Sequence, residues 1–175
     1  MSADVARLEP LMSRAVAAST AHVDSGGLPF VGVVIDAGGE VISGFGTNRV
    51  AETGDPTAHA EVVAMREAMT RHGRDTLAGC SLLATGEPCG LCYRFALDHG
   101  IASVLVAVDR DEVARLGFDY RASYPAFAVT DVRRARVFVP LPVERALDPF
   151  VHYLRLHPAG PVGAGPGTAP KGTSS

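Results

Sequence analysis

Three short apolar runs constrain this chain most. VGVVIDA (31–37), CSLLATG (80–86) and SVLVAVD (103–109) are rich in β-branched or aliphatic residues and are bounded by glycine, proline or aspartate. Such runs read as buried strands. Each is flanked by segments with helical periodicity. Residues 5–23 carry Leu8, Leu11, Met12, Ala15 and Val16 at helical spacing, with a stop at Ser25-Gly26-Gly27. Residues 57–72 form a second helical segment that stops at Gly73. Pro88 opens a third, because proline in a first helical turn gives up an N–H that would have no partner. Gly38-Gly39 predicts a hairpin whose return strand is VISGFG, with Gly44 and Gly46 placed for a bulge or a close backbone approach. Residues 47–56 read as a loop, and a short helix follows Asp111. RVFVPLPV (136–143) predicts a last strand and residues 144–157 a closing helix. Strands and helices alternating in this way predict a three-layer α/β/α domain around a mixed central sheet.

Composition agrees with one globular domain: 175 residues, 47% hydrophobic and 20% charged. The glycines and prolines in excess gather in PAGPVGAGPGTAPKGTSS, which has almost no bulky apolar residue to offset its ordering entropy. Residues 1–157 are thus expected to fold and residues 158–175 to form a disordered tail. No apolar run reaches the roughly 18 residues that a membrane-spanning helix needs, and the N-terminus has no signal-peptide pattern. A cytoplasmic protein is expected. The net charge of −3 argues against a general nucleic-acid binder. Arg133, Arg134 and Arg136 form a short basic run, read here as a solvated turn.

Two clusters carry the chemistry. One is Asp55-Pro56-Thr57-Ala58-His59-Ala60-Glu61 and the other Glu87-Pro88-Cys89-Gly90-Leu91-Cys92. His59 and Cys89 are 30 residues apart, room for one helix and one strand, so both clusters fall at helix N-termini on one side of the sheet. Cys89 and Cys92 share one face of a first helical turn, where the helix dipole helps deprotonate them. With His59 they offer three ligands to Zn²⁺ and leave a fourth tetrahedral position open, the mark of a catalytic site. Glu61, two residues past the histidine, is placed to move a proton. A closed four-ligand site would need Cys80 or His99. Cys80 begins an apolar strand, and His99 lies about 15 Å away along the helix that Cys89 begins. Met65 and Met69 read as core, and His22, His72, His152 and His157 show no ligand spacing.

H-A-E followed by P-C-x-x-C resembles the cytidine deaminase superfamily of zinc deaminases. Within it, N-R-V with D-P-T-A-H-A-E-V-V-A-M-R-E-A resembles bacterial guanine deaminases and tRNA adenosine deaminases. The resemblance implies a cytidine deaminase-like fold with His59, Cys89 and Cys92 as zinc ligands and Glu61 as proton shuttle. It implies substrate contacts from Asn48, Phe30 and Asp119, the last lying in Leu116-Gly117-Phe118-Asp119, which resembles a guanine-recognising segment. Phe118 reads equally as a base-stacking and as a core aromatic, and the backbone near Ala58 and Cys89 is placed to hold the ring. The resemblance further implies a homodimer that deaminates a small nucleobase. The chain departs from the pattern at Leu28, at Leu91, at Tyr93-Arg94 and at Tyr120, where guanine deaminases tend to carry a second aspartate. These positions surround the expected pocket and so bear on the substrate more than on the reaction.

Overall fold

The structure is a computed structural model and describes residues 3–161. All but the first four residues of the expected tail lie outside the described residues. The chain opens with a single helical turn, α1 (Ala3–Ala6), and the longer α2 (Glu9–Asp24). One continuous helix was expected. Pro10 divides it, since a proline can start a helix but removes a hydrogen bond from its interior.

Strand β1 (Val31–Ile35) turns back through Gly38-Gly39 toward β2 (Gly46–Thr47). The return is not the continuous strand expected. Ile35 pairs with Val41 and Val31 with Thr47, so four residue steps on β1 face six on the return. The two extra residues form a bulge in which the Ser43 hydroxyl, and not a main-chain carbonyl, accepts the Val34 N–H at 2.9 Å. After a turn of helix, α3 (Val50–Thr53), comes α4 (Ala60–Arg71). Then follow β3 (Ser81–Gly86), α5 (Gly90–Asp98), β4 (Ser103–Val108) and α6 (Arg110–Arg115). The remainder holds α7 (Ser123–Ala126), α8 (Asp131–Val137), β5 (Phe138–Pro140) and α9 (Asp148–Leu156). Among the described residues, no helix is long and apolar enough to cross a membrane.

The sheet order is β2-β1-β3-β4-β5, with β1 antiparallel to both neighbours and β3, β4 and β5 parallel. Side chains alternate between its faces. Val31, Val33, Ile35, Leu83 and Leu105 pack with Leu11, Met12 and Ala15 of α2. Val34, Leu82, Val104 and Val106 pack with Met65 of α4 and Tyr93 of α5. The layers are therefore helix, mixed sheet and helix, as the sequence pattern predicts. The fold is the α/β fold expected.

Two glycines set the distance between α4 and the sheet. A Cβ on Gly32 would stand 2.9 Å from the Cα of Glu61, and one on Gly46 would stand 2.3 Å from the Ala60 carbonyl. The close approach expected at Gly46 is thus where the first turn of α4 rests on the β1–β2 backbone.

The C-terminal third differs most from expectation. The basic run belongs to α8, whose start is capped by Thr130, the hydroxyl accepting the Arg133 N–H at 3.2 Å. The closing helix begins at Asp148, not at residue 144, because Pro149 fixes the helical φ at its first turn.

Candidate active site

His59 and Cys89 are the N-cap residues of α4 and α5, both with extended backbone (φ −70°, ψ 155° and φ −72°, ψ 175°). A good N-cap returns its side chain to the helix N–H groups. Neither residue does so, and both side chains are free to meet each other. The loop before His59 is held instead by Asp55. Its carboxylate accepts the Thr57 N–H (2.9 Å) and hydroxyl (2.6 Å) and pairs with Arg66 (2.9 Å).

Cys89 Sγ lies 3.6 Å and Cys92 Sγ 3.4 Å from His59 Nδ1, and the two sulfurs are 3.7 Å apart. Bond lengths of about 2.3 Å for Zn–S and about 2.0–2.1 Å for Zn–N give tetrahedral edges of about 3.5–3.8 Å. The three side chains therefore already stand at the spacing of three corners of a zinc tetrahedron. The His59 ring turns Nδ1 toward both sulfurs, so that this nitrogen faces the place of the ion. Neither alternative fourth ligand joins them. Cys80 Sγ takes Arg74 at 3.3 Å, and His99 stacks on Phe95 with Nδ1 at 2.8 Å from that residue's carbonyl.

Glu61, in the first turn of α4, is 3% exposed, and its Oε2 is 3.4 Å from Cys92 Sγ. Burial, and then the charge of Cys89, push its carboxyl up to about 7. Burial opposes ionisation of Cys89 as well, but hydrogen bonds from Cys92 and His59 outweigh it and draw that thiol down to about 5. Burial and the neighbouring thiolate push Cys92 well above the ordinary thiol range. Two sulfurs this close cannot both be anionic in a buried site unless a cation sits between them. The donor set thus fits a divalent, thiolate-binding ion.

A family model, the cytidine and deoxycytidylate deaminase zinc-binding region, matches residues 6–108. The chain belongs to this family. Guanine deaminase of Bacillus subtilis is 32% identical over 143 residues, covering 81% of this chain and 90% of that one. Its solved structure superposes with a TM-score of 0.62 at 31% identity, covering 84% of this chain and 93% of that one. A guanine deaminase from Nitrosomonas europaea gives a TM-score of 0.66 at 25% identity over 85% and 82%. The tRNA(Ile)-lysidine synthase of Deinococcus radiodurans is 34% identical over 110 residues, but the chain spans only 19% of that protein's length.

The other residues expected of a cytidine deaminase-type pocket sit as follows. Asn48 follows β2 and accepts the Val50 N–H on its side-chain oxygen at 3.1 Å. Ala58 is buried, and both its main-chain groups are engaged: its N–H with Asp55 at 3.1 Å, its carbonyl with Arg49 at 2.9 Å. Phe30 packs edge-on against Phe118, Tyr120 and Phe150. Phe118 is buried in this aromatic group and also meets Tyr153. Asp119 is half-exposed and its carboxylate takes Arg121, at 2.9 and 2.8 Å.

Reading the sequence alone gave no role to Glu87 and misplaced Arg134. Glu87 is wholly buried, and the Arg134 guanidinium meets its carboxylate through Nε and, at 3.0 Å, Nη2. The basic run is therefore not a solvated turn throughout. One of its members is the counterion of a buried acid. A glutamate at the end of a buried strand was the available signal, since such a charge demands a partner.

Proposed function

We propose that this deaminase-family chain removes the exocyclic amine of a free, purine-like nucleobase, with guanine, converted by water to xanthine and ammonia, as the leading substrate. The observation that carries the reading is a buried acid, Glu61, beside a three-ligand zinc cluster that leaves one corner open. The extent of similarity to guanine deaminases supports the choice of ring.

A zinc ion held by His59, Cys89 and Cys92 would supply a nucleophile by lowering the pKa of water toward neutrality. Glu61 takes the proton that this water gives up. It then returns protons to the ring nitrogen and to the departing amine, so that water's elements divide between product and ammonia. An acid with its pKa near 7 suits both directions of transfer. Asn48 keeps its amide N–H donors free of the contact that its oxygen makes, and so presents them to a ring acceptor. Phe30 offers a ring edge to the base, with Ala58 and Phe118 as further walls and Asp119 as a recognition residue once released from Arg121. The same reading has the chain act as a cytoplasmic homodimer, with residues 1–157 as the deaminase domain and 158–175 outside it.

Ammonia release by the zinc-loaded protein tests the proposal. The panel is guanine, adenine, cytosine, their nucleosides, pterins and triazines, with Glu61→Gln as control. Turnover of guanine that the control lacks is the expected result. Turnover of another ring alone overturns the choice of guanine, and inactivity on every ring overturns the small-molecule reading.

A further inference from the structure

We propose that the Glu87–Arg134 ion pair is a positioning device for the zinc site, a clamp from α8 that fixes the turn bearing Cys89 and Cys92. The proposal concerns the metal ligands and stands apart from the identity of the substrate.

Glu87 lies two residues before Cys89, at the end of β3. Its buried carboxylate accepts the Tyr93 hydroxyl at 2.8 Å and the Arg110 N–H at 2.7 Å, besides the two contacts from Arg134. Tyr93 directly follows Cys92. The Glu87–Tyr93 bond therefore closes a ring of chain around both sulfur ligands and sets the pitch of the first turn of α5. The main chain beside Cys89 is anchored as well. The Tyr120 hydroxyl donates to the Glu87 carbonyl, the Tyr124 hydroxyl donates to the Pro88 carbonyl at 2.5 Å, and the Gly90 N–H donates to Ser123 Oγ at 2.8 Å.

The carboxylate can hold this ring only while its charge is compensated. Arg110 contributes its main-chain N–H, but its guanidinium pairs with Asp131 at 2.9 Å and covers the Tyr124 ring at 4.7 Å. Arg134 supplies the charge, and its fork spans both carboxylate oxygens, which a point charge cannot do. Its own position is fixed by the Phe138 ring, 4.1 Å below the guanidinium. Arg134 touches no metal ligand. Its effect on the ion passes through Glu87 and Tyr93, and it is a positioning residue.

A buried ion pair could serve stability alone, so the test separates stability from metal geometry. Arg134→Lys, Arg134→Met and the double variant Glu87→Gln/Arg134→Met are each measured in three ways. These are zinc affinity by chelator competition, the absorption spectrum of the Co²⁺-substituted protein, and urea unfolding of the metal-free protein. Arg134→Met is expected to weaken zinc binding about 10–100-fold, the range for lost outer-shell partners, and to alter the thiolate-to-cobalt band. Arg134→Lys falls between it and the natural protein. The double variant leaves no unpaired buried charge and recovers metal-free stability, yet its zinc affinity stays low because the two-pronged hold is gone. Recovery of affinity together with stability overturns the proposal. So does zinc affinity within about threefold of the natural protein in every variant with an unchanged cobalt spectrum. If Arg134→Met does not fold, the lysine and double variants decide the question alone.

Discussion

Replacing Gly32 by alanine probes the coupling between sheet and catalytic helix. The new methyl would stand 2.9 Å from Glu61 Cα, 3.3 Å from Glu61 N and 3.4 Å from the Ala60 carbonyl. Carbon atoms in contact prefer about 3.5–4.0 Å. The obstacle is helix backbone, with no flexible end to swing away, so α4 has to retreat by about 0.6 Å or more. Overpacking of this kind costs about 1–3 kcal/mol. In a chain of this size that lowers the Tm by about 2–12 °C. The retreat carries Glu61 with it, while the cysteines on α5 stay in place. Since a misplacement near 1 Å can cost about 100-fold in rate, a loss of roughly 10–100-fold in kcat/KM is expected. Gly39→Ala is the control. Gly39 has φ +88° and nothing within 4 Å, so alanine there adds backbone strain but no collision. Both proteins are melted with zinc bound and assayed for ammonia release on the substrate that the panel identifies. A Gly32→Ala protein that melts lower but keeps natural kcat/KM would refute the coupling, as would an equal loss of rate in Gly39→Ala.

Glu61→Gln keeps an oxygen to face Cys92 but cannot carry a proton. It should bind zinc at the natural stoichiometry, checked by metal analysis, and lose about 10²–10⁴-fold in kcat. Loss of the metal instead would make Glu61 a ligand. Asp55 titrates at about 2, pulled down first by the hydrogen bonds from Thr57 and then by Arg66. Its folded pKa is depressed, so the stabilisation it brings is present above the unfolded carboxyl's range and is lost as the pH falls through about 2. A carboxyl-detected NMR titration should show this midpoint, and Thr57→Val should raise it. An unmoved midpoint rejects Thr57 as the cause.

The zinc cluster was legible in the sequence because its ligands are local. His59 and Glu61 share one helix start, Cys89 and Cys92 another, and the strand between them fixes both at one end of the sheet. What was not legible depends on pairings across long stretches. Glu87 meets Arg134 across 47 residues, and no periodicity in a run of three arginines says which of them turns inward. The bulge between β1 and β2 was announced by Gly44 and Gly46, but its hydrogen bonding was hidden, since the Ser43 hydroxyl takes the place of a main-chain carbonyl. The motif around Asp119 likewise says nothing of its partner, Arg121, which pairs with the carboxylate two residues on.

The same cluster makes zinc part of the fold's stability. Cys89, Cys92, His59 and Glu61 are all buried, and without a dication they suit one another poorly. One thiol must keep its proton, and Glu61 is held near half-protonation at neutral pH. A dication relieves all of this at once, and the unfolded chain offers no such preformed site. Free zinc at about 1,000 times its Kd should therefore stabilise the native protein by about 4 kcal/mol. For a chain of this size that is about 8–16 °C in Tm. Thermal melts in zinc and in excess chelator measure the difference directly. A gap of under 2 °C would mean that the four groups satisfy one another without metal, and the site would then have to be read as a closed polar cluster.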